Sequence, residues 1–342
     1  MKGLRRVITA MVLCGLPLWA AAAPHALTRF EYSEPHMGTL VRLVLYAPDR
    51  GLADGAAQAA FGRIGALDAA LSDYRDTSEL MQVSRQSGGP PVAVSDDLFR
   101  VLQAAQAMAR ASEGAFDATA GPLSLLWREA RRRQALPDPD RLAAARLLVG
   151  ADKLALDARG RTVQLRSAGM QLDLGGIAKG FAADEAAAVL RRLGIRSALI
   201  AAGGDIVAMA PPPEARGWRV AIAAIDGAER APDLSLHHAA VSTSGDAEQF
   251  LVVDGVRYSH IFDPRTGRAL TGRKSVTVVA TEATTSDALA TVVAVLGRER
   301  GLRLVDATSG AAALIVEATD AGVRTYGSRR WGTLGGFAAE ER

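Results

Sequence analysis

Between residues 39 and 46 the chain reads TLVRLVLY, a run of β-branched and apolar types that predicts a strand, entered through the turn-like PHMG just before it. The period then changes. GLADGAAQAAFGRIGALDAALS (51–72) and SDDLFRVLQAAQAMARAS (95–112) place apolar residues at helical spacing, and Ser95 stands where an N-cap belongs. Pro137 and Pro139 mark a break before another short helix. In the second half, strands are predicted near 163–165, 198–201, 218–225, 258–262 and 276–280, interleaved with helices starting near Ile177 and Ser286. Several of these strands are separated only by turns, so the expected class is α+β with mixed, largely antiparallel sheets flanked by helices. PPPEARG (211–217) reads as a surface loop, no repeat of about 20–50 residues is visible, and no linker divides the chain.

A chain of 342 residues with 49% hydrophobic content can bury a full core. Its first residues follow a different logic. A basic head (Lys2, Arg5, Arg6), an apolar run from Val7 to Trp19 and an alanine-rich tract predict a signal peptide over 1–23, cleaved at about 22–26. The run is too short to span a bilayer as a membrane anchor. This predicts an exported, periplasmic protein with one domain over 28–342. Without the segment's three basic residues, acidic and basic side chains are equal in number, so no basic field is left for nucleic acid or an anionic membrane. The single cysteine, Cys14, lies inside the apolar run, which leaves no disulfide or thiolate chemistry and no lipid-attachment position at the end of that run.

Four stretches could carry chemistry. LDLGGIAKGFAADEAAAVL (172–190) sets Gly175 and Gly176 before a strong helix former, an arrangement that presents free N–H groups to an anion, and adds Lys179 as a mobile charge. The spacing is not that of a Walker loop, and a tight turn with a solvated lysine is the plain alternative. LIAAGGDIVAMA places Asp205 after two glycines, a position more often filled by an Asx-turn residue than by a ligand. In TEATTSDALATVVAVLG, Asp287 and Thr291 are four apart on a predicted helix, two hard oxygen donors that could share Mg²⁺; a first-turn aspartate complementing the helix dipole, with a core-facing threonine, is the alternative. YSHIFDPRTGRAL carries a strong turn signal in DPRTG, and His260 just before it is the best candidate general base.

Taken together these stretches resemble the ApbE-type FAD:protein FMN transferases. The resemblance runs in family order through EPHMGTLVRLVLY, LSDYRDTSEL, GAFDATAGPLSLLW, LDLGGIAKGFAADEA, LIAAGGDI, VSTSGDAEQF, YSHIFDPRTG and TTSDALAT. It implies an ApbE-like, T-fold-like mixed α+β domain that binds FAD and Mg²⁺ (Mn²⁺ as the alternative). It also implies transfer of FMN to a threonine or serine hydroxyl of an acceptor flavoprotein subunit in a membrane electron-transport complex of the quinone-reductase or Rnf type, with AMP released.

By the same resemblance Asp287 and Thr291 match side-chain metal ligands, completed by the carbonyl of Ala178. Lys179, Asp117 and Asp205 fall at flavin-nucleotide contacts, Met37 and Tyr74 line the cleft, and His260 matches the base that deprotonates the acceptor. Asp246 lies in a family motif with a less defined role. MQVSRQSGG lacks an asparagine expected after SEL, and Ala247 replaces a polar or aromatic residue; both bear on the shape of the cleft rather than its chemistry. Three other readings compete: an FAD pyrophosphatase giving FMN and AMP, a non-catalytic flavin-binding protein, and a solute-binding module unrelated to flavin.

Overall fold

A computed structural model describes residues 26–222, 225, 233–245, 249–319 and 322–334. The expected signal peptide (1–23) and Asp246 lie outside the described residues. The chain opens with β1 (Thr28–His36), β2 (Thr39–Ala47), α1 (Arg50–Leu71), α2 (Glu79–Arg85), β3 (Val92–Ala93), α3 (Asp96–Ala111), α4 (Gly121–Arg133) and α5 (Pro139–Leu147). It continues through β4 (Leu154–Asp157), β5 (Thr162–Leu165), α6 (Ala178–Arg192), β6 (Ala198–Ala202), β7 (Asp205–Ala208), β8 (Trp218–Val220) and β9 (Leu234–Leu236). Then come β10 (Ala239–Gly245), β11 (Phe250–Val253), β12 (Val256–Phe262), β13 (Ala269–Thr271), β14 (Lys274–Ala280), α7 (Ala283–Ala307), β15 (Ala312–Thr319), β16 (Gly322–Gly327) and α8 (Trp331–Leu334).

Eight strands form the central sheet in the order β1-β2-β6-β7-β10-β14-β15-β16, every pair antiparallel. Period-two alternation sends Val41, Leu43 and Leu45 of β2, and Val276 and Val278 of β14, to a face covered by helices α1, α6 and α7. Small residues bring α1 and α6 close: Ala53, Ala56, Ala57 and Ala60 on one helix and Ala182, Ala183, Ala186 and Ala187 on the other are all buried in one cluster. The opposite face packs Val241 and Val279 under the β8–β9 hairpin through Trp218, Val220, Leu234 and Leu236. Among the described residues no helix is long and apolar enough to cross a membrane.

The antiparallel α+β expectation is borne out, and Ser95 caps α3 by accepting the Leu98 N–H at 3.2 Å. Two boundaries differ. The strand expected over 218–225 ends at Val220, because its partner β9 supplies only three residues, the last pairing being Val220 with Leu234. The helix expected to start at Ser286 begins at Ala283, for a reason that belongs to the site.

Candidate active site

The N-terminal turns of α6 and α7 meet and cap each other. The Gly180 N–H, in the first turn of α6, donates to Asp287 Oδ2 at 3.1 Å. In return the Asp184 carboxylate on α6 accepts the Ala283 N–H (2.9 Å), the Thr284 N–H (2.8 Å) and the Thr284 hydroxyl (2.6 Å). Glu282, at the N-cap of α7, makes no side-chain cap, so Asp184 satisfies the orphan donors in its place and the helix starts three residues before the sequence pattern shows. Asp287 consequently sits in the second turn, not the first. Burial pushes the Asp184 carboxyl above its ordinary pKa, opposed by the bonds from Thr284 and Ala283. Asp184→Ala is expected to cost about 1–2 kcal/mol, a lost cap, seen as a lower melting temperature, with Asp184→Asn retaining part of the loss.

Two glycines make the approach of the helices geometrically possible. A Cβ on Gly180 would lie 2.2 Å from the Ala283 carbonyl oxygen, and a Cβ on Gly176 would lie 3.0 Å from Thr291 Oγ1. The glycine turn is itself braced by Asp173, whose Oδ1 accepts the Gly175 N–H at 2.7 Å and whose own N–H donates to the Ala118 carbonyl at 2.8 Å. Behind Asp287, the buried hydroxyls of Ser242 on β10 and Ser286 on α7 stand 2.8 Å apart and tie the helix to the sheet.

Lys179 is ion-paired rather than solvated. Its Nζ lies 2.8 Å from Asp205 Oδ2 and 3.7 Å from Asp287 Oδ2. Asp205, at the start of β7, and Asp287 are 3% and 4% exposed. Burial works against the lysine's charge, but Asp287 and Asp205 more than offset it and hold the ammonium above its ordinary pKa. Burial and then Asp205 push the Asp287 carboxyl up to about 7, against the pull of Lys179 and the Gly180 N–H. Two carboxylates facing one ammonium leave the cluster a net negative charge when all three are ionised, an arrangement that favours a cation.

The structure thus joins Lys179, Asp205 and Asp287, with Ala178 as the first residue of α6 and Thr291 one turn beyond Asp287 against Gly176. The other expected residues are held by different partners. Met37 occupies the two-residue turn between β1 and β2 with φ 51°, beside Gly38 at φ 72°, the geometry that matches strand twist but strains a residue bearing a long side chain. Tyr74 is exposed beneath the Arg128 guanidinium. Asp117 Oδ1 accepts the N–H (2.8 Å) and hydroxyl (2.7 Å) of Thr119, and burial raises its carboxyl pKa against these bonds. His260 on β12 sits with Nδ1 3.1 Å from the Gln249 carbonyl, on the strand face that Tyr258 and Phe262 turn toward Trp127 of α4. Trp127 in turn donates to the Gly267 carbonyl at 2.8 Å, fixing the DPRTG turn.

Sequence reading passes over Asp184, Gly180, Arg128 and His36. Asp184 follows Gly180 by four positions and so shares its helix face, a signal present in the pattern. His36, which stacks on Phe61 with ring centroids 6.0 Å apart and bonds Glu34 at 3.1 Å, carries no such signal.

Comparison with known proteins places the chain. The sequence pattern of the ApbE family matches residues 37–315. An FAD:protein FMN transferase of Treponema pallidum is 36% identical over 329 residues, 90% of each chain, and one of Vibrio cholerae is 34% identical over 86% of this chain and 90% of its own. The solved flavin transferase ApbE from Vibrio cholerae superposes with a TM-score of 0.81 at 31% identity, covering 90% of this chain and 99% of that one. The apo flavinyl transferase ApbE of Pseudomonas stutzeri does so with the same score at 29% identity, over 92% and 98%. The chain belongs to the ApbE family.

Proposed function

We propose that this chain is an FAD:protein FMN transferase that moves FMN from FAD to a threonine or serine hydroxyl of an acceptor flavoprotein and releases AMP. The observation that carries the reading is the buried Lys179–Asp205–Asp287 cluster at the junction of two helix N-termini, beside a glycine turn. The four named relatives and solved structures are flavin transferases by name, and the chain spans nearly their full length.

The residues fit a divalent cation of mixed oxygen ligation. Among the described residues no group of three or more His, Cys, Asp or Glu side chains forms a metal cage. The donors on offer are one carboxylate (Asp287), one hydroxyl (Thr291) and a main-chain carbonyl (Ala178), a set suited to Mg²⁺, with Mn²⁺ as the alternative, when substrate phosphates complete the shell. The close seat of Thr291 on Gly176, which a Cβ would crowd, supports the pairing of these segments. When bound, such a cation draws negative charge from the pyrophosphate.

The chain's own groups supply the rest. Lys179 adds positive charge beside the glycine turn to offset the pyrophosphate, and Asp205 holds it in place; the N–H groups of Gly175 and Gly180 are taken by Asp173 and Asp287 and serve to fix the turn and the helix junction. The acceptor hydroxyl oxygen attacks the phosphorus on the riboflavin side, the new P–O bond forms as the bridge to AMP breaks, and His260 takes the hydroxyl proton. The acceptor we infer is a subunit of a membrane electron-transport complex, reached after export to the periplasm.

The test mixes purified protein with FAD, Mg²⁺ and a threonine-bearing acceptor, following covalent flavin fluorescence in a denaturing gel and AMP release. Equimolar flavinylation and AMP are expected, abolished by EDTA and restored by excess Mg²⁺. AMP released at the same rate without acceptor would establish the pyrophosphatase instead, and FAD bound without turnover would establish a carrier.

A further inference from the structure

One side chain joins the loop after α1 to the glycine turn before α6. Arg128, on α4, places Nη2 2.5 Å from Asp73 Oδ2 and 3.8 Å from Asp173 Oδ2. Asp173 is the residue that braces the glycine turn, and it also accepts the Ser124 hydroxyl from the same helix as Arg128. The guanidinium carbon lies 4.1 Å from the centroid of the Tyr74 ring, next in sequence to Asp73.

The exposures are opposite. The Arg128 side chain is only 16% exposed, whereas Tyr74 is 74% exposed. An arginine fixed between two carboxylates presents its planar face in one orientation, and a ring stacked on that plane loses the freedom an exposed tyrosine ordinarily has. One face of the Tyr74 ring is therefore covered and its opposite face is open. Burial opposes the Arg128 charge, and Asp173 and Asp73 more than compensate, so the group that does the holding stays cationic. The helix α4 has separate anchors in the Trp127 bond to Gly267 and in its apolar face.

We propose that Arg128 is a positioning residue for the transferase reaction, clamping Tyr74 at a fixed stand-off from the glycine turn so that its open ring face receives a flat heteroaromatic ring whose pyrophosphate lies at that turn. The clamp rests on the transferase reading above. It assigns to α4 a part in binding FAD: Asp73 holds the arginine, Asp173 links it to the glycine turn, and the guanidinium plane sets the ring.

The decisive variant is Arg128→Lys, which keeps a positive charge for Asp73 and Asp173 but has no planar face. FAD binding is read by quenching of flavin fluorescence, and thermal melting establishes that each variant is folded. Arg128→Lys is expected to bind FAD about fivefold more weakly with kcat at saturating FAD within about twofold of wild type. Tyr74→Ala is expected to weaken binding at least as much, and the double variant to be no weaker than Tyr74→Ala alone. Wild-type affinity in Arg128→Lys, a loss confined to kcat, or losses that multiply in the double variant would each overturn the clamp. Should Arg128→Lys fail to fold, Arg128→Gln combined with Asp73→Asn removes a charge together with its partner and gives the same comparison. Wild-type protein that binds no FAD sinks the transferase reading and the clamp with it; FAD binding indifferent to Arg128 sinks the clamp alone.

Discussion

Asp287→Ala is expected to abolish flavinylation, lowering the rate by on the order of 10³-fold or more, because it removes both the charged donor of the proposed cation site and one of the two carboxylates facing Lys179. The size follows from the position. The carboxylate is buried, and its Oδ2 is shared by the Gly180 N–H and the lysine. Alanine would also leave the Gly180 N–H without its acceptor. Asp287→Asn separates the two effects, since an amide oxygen still accepts from Gly180 while the charge is gone. It should melt near wild type and remain inactive in the gel assay, with FAD no longer retained more tightly when Mg²⁺ is added. Normal flavinylation by Asp287→Asn would remove the carboxylate from the metal set.

Gly180→Ala is expected to be the most damaging single methyl in the protein's helices. The added carbon would stand 2.2 Å from the Ala283 carbonyl oxygen, 2.6 Å from its carbon and 2.9 Å from Asp287 Cβ, and two of those three atoms are backbone. The helices must separate, which breaks the Gly180 to Asp287 bond and displaces Asp184 from the α7 amides it caps. Overpacking of this kind costs about 1–3 kcal/mol or more, so the melting temperature should fall by several degrees and Mg²⁺-dependent FAD binding should be lost. Gly55→Ala is the matched control. It lies in α1 with nothing within 4 Å of the added carbon, and should be neutral or stabilise the helix by up to about 1 kcal/mol. Equal melting of the two variants would show that α6 and α7 are not in the contact described.

The contrast between these residues indicates what sequence can carry. Periodicity located β2, α1, α3, α6 and the antiparallel class because each depends on a face repeated along one segment. Lys179, Asp205, Asp287 and Thr291 each had a plain local alternative and were singled out by the combination of stretches and the family resemblance; the structure joins the first three in one cluster, with Thr291 one turn beyond Asp287 against Gly176. The helix start at Ala283 was illegible because its cap comes from Asp184, about one hundred residues away. Arg128 was invisible for a similar reason: in an arginine-rich helix its neighbours Arg131, Arg132 and Arg133 look alike, and only the approach of Asp73, Asp173 and Tyr74 distinguishes it. The β1 strand, mostly exposed, lacked an apolar face to announce it.

Across the central sheet the strand order never runs back against the order along the chain. Each seam can therefore zip onto the strand already in place, and none has to be threaded between two earlier ones. The kinetic burden falls on the excursions, of which residues 48–197, between β2 and β6, are the longest. Because closure entropy grows only with the logarithm of length, about 0.6 kcal/mol per doubling, that seam is slow rather than prohibitive. The alanine faces of α1 and α6, which lie at the two ends of the excursion, are the surfaces whose docking shortens the effective loop before β6 can join.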